Sequence, residues 1–587
     1  MTGSIQRRNL IALLIVNAIL AVIFSRGEAW NFNDGIAREV LFLAFDCFLV
    51  ILLPMFFVFN RKAMALLNTA VDRIWEALQK LWEQRQLILK NAVVCVLGIP
   101  VSLAVSYGIS AAMQIENNMI LQWSAAAVVY LAIAVYLMRD MLGKRPELVF
   151  FTVTMILGIY MIEVRPCEVG YSWDDQDHFE RTVSLATLNG PYYEADEAVY
   201  LNAWEPAGKA SEAERVERME FLNTSYENRI VKDNLNHGNL RHISIESYFP
   251  YAFGIVFGRG LGLGYVSSLR CGLFFNLLFY AAVMAWAMSK LKSGRILVAV
   301  IALFPTNMYM VTSFSYDPWI TAWITLAYAY FFSYLQEPGK ILTGKDIAVI
   351  LCAFVLGCLP KAIYFVLMFP LLFMPRDHFA GQKQHRKYLT AVFVTAFCLA
   401  GTFLLPMLVK GAGSGDSRGG SEVDATQQIK YILSQPLDYA KTLLNFMASE
   451  FLNITHADQY MVNYAYMGMA HEMFLPISAL LLFVMFTGHN GKTGKTKPVI
   501  ASSMFAFFCM AVLIATAMYI SYTPVGLNTV NGCQPRYLIP MVFPALYIHS
   551  FDRFENRMNP AVYNVLPMLI MAMTVIISLG SRLYAMY

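Results

Sequence analysis

Five side chains that could do chemistry fall within eight residues of one another. They are Asp174, Asp175, Asp177, His178 and Arg181. In a helix, four of them would lie at positions i, i+3, i+4 and i+7 and share one face, with Asp175 on a neighbouring face. A carboxylate in such a group could deprotonate a hydroxyl, and paired carboxylates could hold a divalent cation near a phosphate.

A purely structural interpretation of this segment is also open. Ser172 lies three residues before Asp175, which is the spacing of a helix N-cap followed by an acid at the third position. Acidic residues at a helix N-terminus stabilise it by up to about 1 kcal/mol. Asp177 and Arg181 are also spaced as an ordinary i,i+4 ion pair. The position of the segment in the membrane, argued below, favours the functional interpretation.

Four more residues have chemistry that calls for explanation. Asp317 precedes a proline and is able to cap a helix. Lys361 lies between two apolar runs and is either a phosphate partner or a solvated turn residue. Arg536 and Tyr537 open another apolar run. Arg536 needs an anionic partner there, which is either a phosphate or one of the acids.

The composition places these residues in a membrane protein. The chain has 587 residues, of which 58% are hydrophobic and 14% are charged, and its mean hydropathy is +0.51. Soluble proteins carry roughly 25% charged residues. These values exclude a soluble globular enzyme, a disordered protein and a nucleic-acid-binding module. They predict an all-α polytopic membrane protein that contacts the lipid bilayer and no nucleic acid.

Apolar runs long enough to cross a bilayer predict a bundle of about 13–15 transmembrane helices. The least secure pair, 347–359 and 362–374, is divided by Pro360 and Lys361 and could be kinked or re-entrant. The predicted spans lie near 10–24, 40–59, 91–113, 119–138, 148–164, 265–289, 296–312, 318–335, 347–359, 362–374, 389–409, 473–487, 499–520, 536–550 and 561–580.

Lysine and arginine alternate between the loops in a way that predicts orientation. With the N-terminus in the cytoplasm, every second loop is basic, as the positive-inside rule requires. The basic loops are 61–90, 139–145, 290–295, 340–345, 376–387, 492–497 and 553–557. All the candidate residues above then fall on the extracytoplasmic side. So do two long loops, 165–247 and 410–472, which are long enough to be functional.

Residues 1–147 are predicted to form a four-helix membrane module with a cytoplasmic amphipathic helix within 60–90. Residues 148–587 form the main membrane domain. The glycine-rich run 411–420 follows no strand, so it is interpreted as a flexible link rather than a phosphate-binding loop. It leads to a second surface helix at 436–452. Pairing between Cys167 and Cys533 in the outer loops is left open.

Five segments in the same order resemble one known family. Asp174-Asp175-x-x-His178-Phe179-x-Arg181-Thr182 resembles the D-E-x-x-H-F-x-R-A signature of a family of bacterial multi-pass proteins. That family is catalogued as a domain of unknown function and is considered related to the GT-C superfamily of glycosyltransferases. The resemblance covers roughly residues 148–560, with Asp175 where Glu is usual. The other segments are Tyr248-Phe249-Pro250-Tyr251, Ser315-Tyr316-Asp317, Lys361-Ala362-Ile363-Tyr364 and Gln534-Pro535-Arg536-Tyr537-Leu538-Ile539-Pro540.

The resemblance implies a GT-C-like enzyme of the bacterial cytoplasmic membrane with an extracytoplasmic active site. It would transfer a sugar from a polyprenyl-phosphate donor to a glycan, lipid-linked or wall-polymer acceptor. Asp174 and Asp175 would be catalytic, with one of them acting as general base. Together with Asp177 they could ligate Mg²⁺ or Mn²⁺, although some related enzymes use no metal. The implied substrate-binding residues are Asp177, His178, Arg181, Asp317, Lys361, Arg536 and Tyr537.

Three other functions stay open at this point. A transporter or flippase of lipid-linked glycans should have inverted repeats and charges near the bilayer midplane, whereas the candidate residues here cluster near the outer surface. A polysaccharide polymerase would use a lipid-diphosphate donor. A scaffold would use the acidic residues only as helix caps.

Overall fold

The computed structural model describes residues 2–29, 47–166, 168–187, 192–201, 212–231, 245–410, 416–488, 493–550, 554 and 556–586. Within these ranges the chain is helical and has no β-strand, only two isolated bridges, Tyr193–Val231 and Asn463–Met469. The predicted all-α polytopic class is confirmed. Cys167 lies outside the described residues, so its pairing with Cys533 stays open.

The described helices divide into two groups along the chain. The first group is α1 (Thr2–Ala29), α2 (Leu53–Phe59), α3 (Arg61–Glu83), α4 (Arg85–Met113), α5 (Met119–Leu137), α6 (Pro146–Val164), α7 (Asp175–Ala186), α8 (Glu194–Leu201), α9 (Glu212–Glu227), α10 (Phe249–Gly260) and α11 (Tyr265–Lys290). The second group is α12 (Arg295–Ala302), α13 (Pro305–Val311), α14 (Asp317–Leu335), α15 (Gly344–Cys358), α16 (Gln382–Lys410), α17 (Ala425–Ser434), α18 (Pro436–Phe446), α19 (Asp458–Met461), α20 (Phe474–Thr487), α21 (Lys497–Tyr522), α22 (Ile539–His549) and α23 (Pro560–Met586).

Shorter helical segments connect these elements. Two are π-helical, Phe48–Leu52 and Met447–Phe451. The 3₁₀ segments are Ile245–Tyr248, Ala362–Phe373, Arg376–His378, Ser417–Gly419, Ile454–His456, Ala465–Met467, His471–Met473 and Pro535–Leu538.

Six of the described helices, α4, α5, α6, α11, α21 and α23, are long and apolar enough to cross a membrane, or up to seven spans if one bent pair counts as a span. Several other predicted spans are interrupted. The run 296–312 breaks before Pro305 into α12 and α13, and the run 362–374 forms a 3₁₀ helix. Hydropathy identifies apolar segments, but the backbone decides whether each one is a continuous helix.

The long helices separate two ends of the bundle. At one end the predicted cytoplasmic loops meet: the backbone N–H of Lys292 donates to Gln336 (2.7 Å), that of Gly294 donates to Gly488 (3.1 Å), and Lys495 Nζ donates to the carbonyl of Ser550 (2.7 Å). The described parts of the two long loops lie at the other end. The predicted cytoplasmic loops 290–295 and 492–497 therefore lie at the same end of the bundle.

Helices α10 and α11 pack closely, and α10 contacts the turn before Asp317. A Cβ on Gly254 would come within 2.7 Å of the Cα of Gly272, so these two helices approach at the distance that small residues allow. Tyr251, on α10, donates its hydroxyl to the carbonyls of Ser313 and Ser315, each at 2.8 Å. This contact holds the turn that leads into α14.

The 3₁₀ helix Ala362–Phe373 is unusually long, because 3₁₀ runs beyond three or four residues are uncommon. Tyrosine side chains from its neighbours hold it: Tyr328 donates to the carbonyl of Leu367 (2.7 Å) and Tyr388 to that of Leu371 (3.0 Å). The segment thereby fixes the position of Lys361, the residue just before it.

The segments predicted to form surface helices within 60–90 and 436–452 are helical, and their position at a membrane surface stays a prediction. α3 is amphipathic and leaves Trp75 and Trp82 exposed, and Pro436 lies in the first turn of α18. The division of the chain at residue 147 stays a prediction. α5, from the first part, packs against α6 and α23 of the second.

Candidate functional site

Asp174 lies at the turn between Trp173 and α7. Its φ is 55°, in the left-handed region that few residues other than glycine adopt. The side chain is 38% exposed and accepts hydrogen bonds from Arg418 Nη1 (3.0 Å) and Arg536 Nη2 (3.1 Å). Backbone strain of this kind is often kept where a side chain must be aimed at a site.

Five charged side chains of alternating sign form a continuous row, which we call the charge row. Its order is Arg418, Asp174, Arg536, Asp317 and Lys361. Arg536 Nη1 donates to Asp317 Oδ2 at 3.1 Å, and Lys361 Nζ lies 3.7 Å from Asp317 Oδ1. The row joins residues that are far apart in the sequence.

Arg536 is the fixed member of the charge row. Its side chain is only 3% exposed, and its Nε donates to Gln534 Oε1 at 2.6 Å. Its guanidinium carbon also lies 4.7 Å from the ring centroid of Trp173, within cation–π distance. The sequence left open whether Arg536 pairs with a phosphate or with acids, and in the structure the acids are its partners.

Asp317 does not use its carboxylate to cap α14. It is the first residue of that helix, and its backbone N–H bonds to Ser315 Oγ at 3.1 Å. Its side chain instead lies between Arg536 and Lys361. The capping interpretation of Asp317 is therefore wrong, because both carboxylate oxygens face cations.

Aromatic rings surround Lys361. Its Nζ is 3.9 Å from the ring centroid of Tyr537 and 4.9 Å from that of Tyr316. Tyr364 donates its hydroxyl to the carbonyl of Tyr537 at 2.6 Å, which ties the segment after Lys361 to the one carrying Arg536. The ammonium group is thus held by ring faces and one carboxylate.

Arg418 belongs to the glycine-rich run 411–420, which the sequence pattern predicts to be a flexible link, and its side chain reaches the site. Its Nη1 donates to Asp174 and also to Asp177 Oδ2 (3.1 Å), while its Nε and Nη2 bond to Asp416. The guanidinium lowers the pKa of Asp416. Sequence analysis missed Arg418 and Asp416, since nothing within the run itself indicates a partner more than 240 residues away.

Asp175 is turned away from the charge row and is fully buried. Its carboxylate accepts hydrogen bonds from the backbone N–H groups of Gly170 (3.1 Å), Tyr171 (3.3 Å) and Ser172 (3.0 Å). Burial raises its pKa to about 6, although these hydrogen bonds and Arg165 oppose the shift. This environment indicates that Asp175 fixes the turn carrying Asp174.

The predicted N-cap role of Ser172 is wrong. α7 begins at Asp175 and its N-cap residue is Asp174, which makes no side-chain capping bond. The Ser172 hydroxyl has no hydrogen-bond partner among the residues that the structure describes. The left-handed turn at Asp174 moves Ser172 out of capping position, and the Asp175 carboxylate satisfies its backbone N–H instead.

His178 and Arg181 lie behind the charge row beside Tyr248. His178 is buried, and its Nδ1 is 2.7 Å from the Tyr248 hydroxyl. Burial, and then the positive charge of Arg181, lower the pKa of His178 well below its usual value, so the ring is neutral at neutral pH. Arg181 also hydrogen-bonds Tyr248. The four residues predicted to share one helix face therefore separate into two pairs. Asp174 and Asp177 contact Arg418, whereas His178 and Arg181 contact Tyr248.

A cavity of about 840 Å³ opens beside the charge row. Its polar wall includes Asp174, Lys361, Asp416, Arg418 and Tyr537. Its other wall is mainly apolar and includes Ile363, Thr402, Ile514, Ala517 and Met518. Ile514, Ala517 and Met518 are spaced i, i+3 and i+4, so one face of α21 supplies much of this wall.

The carboxylates predicted as metal ligands do not form a metal site in this arrangement. Asp175 faces backbone N–H groups, and the Arg418 guanidinium lies between Asp174 and Asp177. In the described part of the chain, no group of three or more His, Cys, Asp or Glu side chains could hold a metal ion. These residues therefore do not fit Mg²⁺ or Mn²⁺ as they stand.

The structure brings six of the nine predicted site residues together in the charge row or beside it: Asp174, Asp177, Asp317, Lys361, Arg536 and Tyr537. The other three lie outside the row. Asp175 bonds to the backbone before Asp174, and His178 and Arg181 contact Tyr248. The role of each residue stays a prediction.

Comparison with known proteins is consistent with the resemblance found in the sequence. No curated protein and no solved structure matches the chain. The family described as "Predicted membrane protein (DUF2142)" matches residues 155–544, close to the range that the motifs cover. The match contains the first long loop, α14, Lys361, Arg418 and Arg536. The chain therefore belongs to the DUF2142 family of predicted membrane proteins.

Proposed function

We propose that this protein is a membrane glycosyltransferase of the bacterial cytoplasmic membrane. It transfers a sugar from a polyprenyl-phosphate donor to an extracytoplasmic glycan, lipid-linked or wall-polymer acceptor. The observation that carries the proposal is the cavity, whose lining combines charged side chains with a mainly apolar set of side chains. A donor of this class has the same two-part character, since an anionic phosphate joins a sugar to a long apolar chain.

The donor phosphate binds at the charged wall, where Lys361 and Arg418 line the cavity. Arg536 is already engaged by Gln534, Asp174 and Asp317, so it orients the two carboxylates rather than the substrate. The isoprenoid chain lies against Ile363, Thr402 and the face of α21. His178 is neutral and buried, and it positions Tyr248 instead of contributing positive charge.

Asp174 is the general base in this proposal, because its carboxylate lines the cavity while that of Asp175 does not. The acceptor hydroxyl gives its proton to Asp174 as its oxygen bonds to the anomeric carbon. The bond between that carbon and the phosphate oxygen breaks, and polyprenyl phosphate leaves with the electron pair. Attack from the side opposite the phosphate inverts the anomeric configuration. Lys361 stabilises the charge on the leaving phosphate.

Mass spectrometry of surface glycans and lipid-linked intermediates tests this proposal. A strain lacking the gene would be complemented with wild type, Asp174→Asn, or Glu422→Gln as a control for loss of an exposed acid near the site. We expect a sugar substituent to disappear in the deletion strain while its polyprenyl-phosphate donor accumulates. Wild type and Glu422→Gln restore the substituent and Asp174→Asn does not, because loss of a general base costs about 10²–10⁴ in rate.

Two results would contradict the proposal. If Asp174→Asn restores the glycan as well as wild type does, the carboxylate is structural and the transporter or scaffold function becomes the better explanation. If the deletion changes no glycan and no lipid-linked intermediate, the protein does not act in this chemistry.

A further inference from the structure

Arg418 and Arg536 both bond to Asp174, but their surroundings differ. Arg536 is 3% exposed and each of its three nitrogens donates to a single acceptor, whereas Arg418 is 50% exposed. The Nη1 of Arg418 is shared between two carboxylates, Asp174 and Asp177, at 3.0 and 3.1 Å. Of the two, Arg418 is the side chain whose contacts can be exchanged with little rearrangement.

The backbone that carries Arg418 is anchored independently of these contacts. The Asp416 N–H donates to the carbonyl of Ser521 at 2.7 Å, at the end of α21. A Cβ on Gly419 would collide with the backbone oxygen of Tyr522, so the turn lies directly against the chain there. The Nε and Nη2 of Arg418 stay with Asp416. Only Nη1 has to change partner for Arg418 to contact a molecule in the cavity.

We infer that Arg418 is an exchangeable phosphate contact that holds Asp174 until the lipid phosphate arrives. On binding, Nη1 leaves Asp174 and Asp177 and donates to a phosphate oxygen, while Asp416 keeps the rest of the guanidinium in place. Asp174 then has a free oxygen to accept the proton of the acceptor hydroxyl. This inference rests on the proposed function and assigns the second long loop a role in it.

The chemistry of the two anions supports the exchange. A guanidinium group pairs with phosphate through the same planar, charge-assisted hydrogen bonds that it makes with carboxylates. Arg418 occupies Asp174 Oδ1 and Arg536 occupies Oδ2, so neither oxygen is open to the acceptor hydroxyl until Arg418 leaves. Both Arg418 and Lys361 line the cavity, and a phosphate between them would be contacted by two cations.

A double-mutant cycle on ligand binding tests this inference. The full-length protein in phosphatidylcholine nanodiscs would be titrated calorimetrically with farnesyl phosphate, and with farnesol as the ligand without a phosphate. The variants are Arg418→Ala, Asp177→Asn and the double variant. Lys430→Ala and Glu422→Gln are controls for loss of an exposed cation and an exposed acid in the same region of the chain.

We expect Arg418→Ala to weaken farnesyl phosphate binding about 10- to 100-fold, the usual effect of losing a charge-assisted hydrogen bond. Asp177→Asn removes a competitor for Nη1, so it should tighten binding several-fold. In the Arg418→Ala background the same change should have little effect, since no guanidinium remains to be released. The two controls should bind as wild type does.

The inference and the proposed function fail in different ways. If wild type binds farnesyl phosphate no better than farnesol, the site does not recognise a lipid phosphate and both fail. If wild type discriminates between the ligands but Arg418→Ala binds unchanged, Arg418 is not a phosphate contact. If Asp177→Asn tightens binding equally with and without Arg418, the effect is general electrostatics and the exchange is wrong.

Discussion

Asp174 and Asp175 are neighbours in the sequence, but their carboxylates lie in different surroundings. Asp174 faces the cavity between two guanidinium groups, and Asp175 is buried against three backbone N–H groups. The left-handed conformation of Asp174 accompanies this difference, since α7 begins at Asp175, two residues later than a Ser172 cap would start it, and the two side chains point apart. Spacing alone could not separate a candidate base from its support.

A pH-dependent stability effect is expected at Asp175. Its pKa is raised from 3.8 to about 6 by burial, so the folded protein binds more protons than the unfolded chain between these values. Stability from this group is present below about pH 4 and is lost as the pH rises to 6. The loss is roughly 3 kcal/mol for a shift of this size.

The Asp175→Asn variant isolates this effect, because an amide of the same shape does not titrate. Unfolding free energies of wild type and variant in nanodiscs should be compared from pH 4 to pH 7. Relative to the variant, wild type should lose stability as the pH rises. Glu422→Gln, at an exposed acid, should follow wild type. Parallel curves for wild type and Asp175→Asn would show that this carboxyl is ionised throughout.

Residue types predicted much of the charge row but not all of it. Asp174 could be selected from its cluster of ionisable residues, and Asp317, Lys361 and Arg536 because each lies beside an apolar run. Arg418 could not, because glycine-rich sequence around it indicates only a link. Its role depends on a contact across 244 residues, which no local pattern encodes.

At the level of elements, the apolar wall of the cavity combines α21, the 3₁₀ helix Ala362–Phe373 and α16. Both α16 and α21 pack against the 3₁₀ helix, and Thr402 on α16 lines the same cavity as Ala517 on α21. This wall gives the isoprenoid chain of a donor a surface to lie on.

Ala517→Trp should obstruct this wall. The indole ring would take space that the isoprenoid chain occupies in the proposal, and such overpacking costs about 1–3 kcal/mol of binding free energy. The KM for a polyprenyl-phosphate donor should therefore rise roughly 5- to 150-fold, with a smaller change in kcat. Ala501→Trp, on an exposed position of the same helix, is the matched control. Steady-state kinetics with donors of two chain lengths would measure this. Equal KM values for the two variants would mean that the lipid binds elsewhere.

Gly419→Ala tests whether the Arg418 turn must lie directly on α21. The new methyl group would collide with the Tyr522 backbone, so the turn must move and Arg418 with it. Transfer activity should fall about tenfold or more, as it would for loss of a charge-assisted contact. Gly381→Ala has open space around the new methyl group and should retain activity. Full activity of Gly419→Ala would show that the turn tolerates displacement.

Helix positions were largely predictable from apolar runs, whereas their continuity was not. Predicted spans such as 148–164 and 265–289 correspond closely to α6 and α11. The run 296–312 is instead broken before Pro305, and 362–374 winds as a 3₁₀ helix held by tyrosine hydroxyls. The break coincides with Pro305, a residue that interrupts helices, whereas the 3₁₀ winding is accompanied by tertiary hydrogen bonds, which a single-sequence pattern does not contain.

At the scale of the whole molecule, the charge row and the predicted cytoplasmic loops lie at different ends of the bundle. Predicted cytoplasmic loops meet around Lys292 and Lys495, and the charge row lies at the opposite end. This separation agrees with the alternation of basic loops in the sequence. The positive-inside rule then predicts an extracytoplasmic active site.

Cysteine labelling measures that orientation. In a variant without native cysteines, Glu422→Cys lies near the site and Lys340→Cys lies at the other end, both at exposed positions. A membrane-impermeant maleimide should label Glu422→Cys in intact cells and Lys340→Cys only after permeabilisation. The reverse pattern would place the site in the cytoplasm and exclude an outer-leaflet donor.

The central claim is that the cavity binds a sugar-bearing polyprenyl monophosphate and that Asp174 is needed for its turnover. Native mass spectrometry of the protein purified with its bound lipids tests this most directly. We predict an adduct with the mass of a polyprenyl-phosphate sugar that is enriched in Asp174→Asn relative to wild type and lost in Lys361→Ala. A polyprenyl-diphosphate adduct would instead support a polymerase or flippase, and no phosphate-bearing adduct in any variant would contradict the claim.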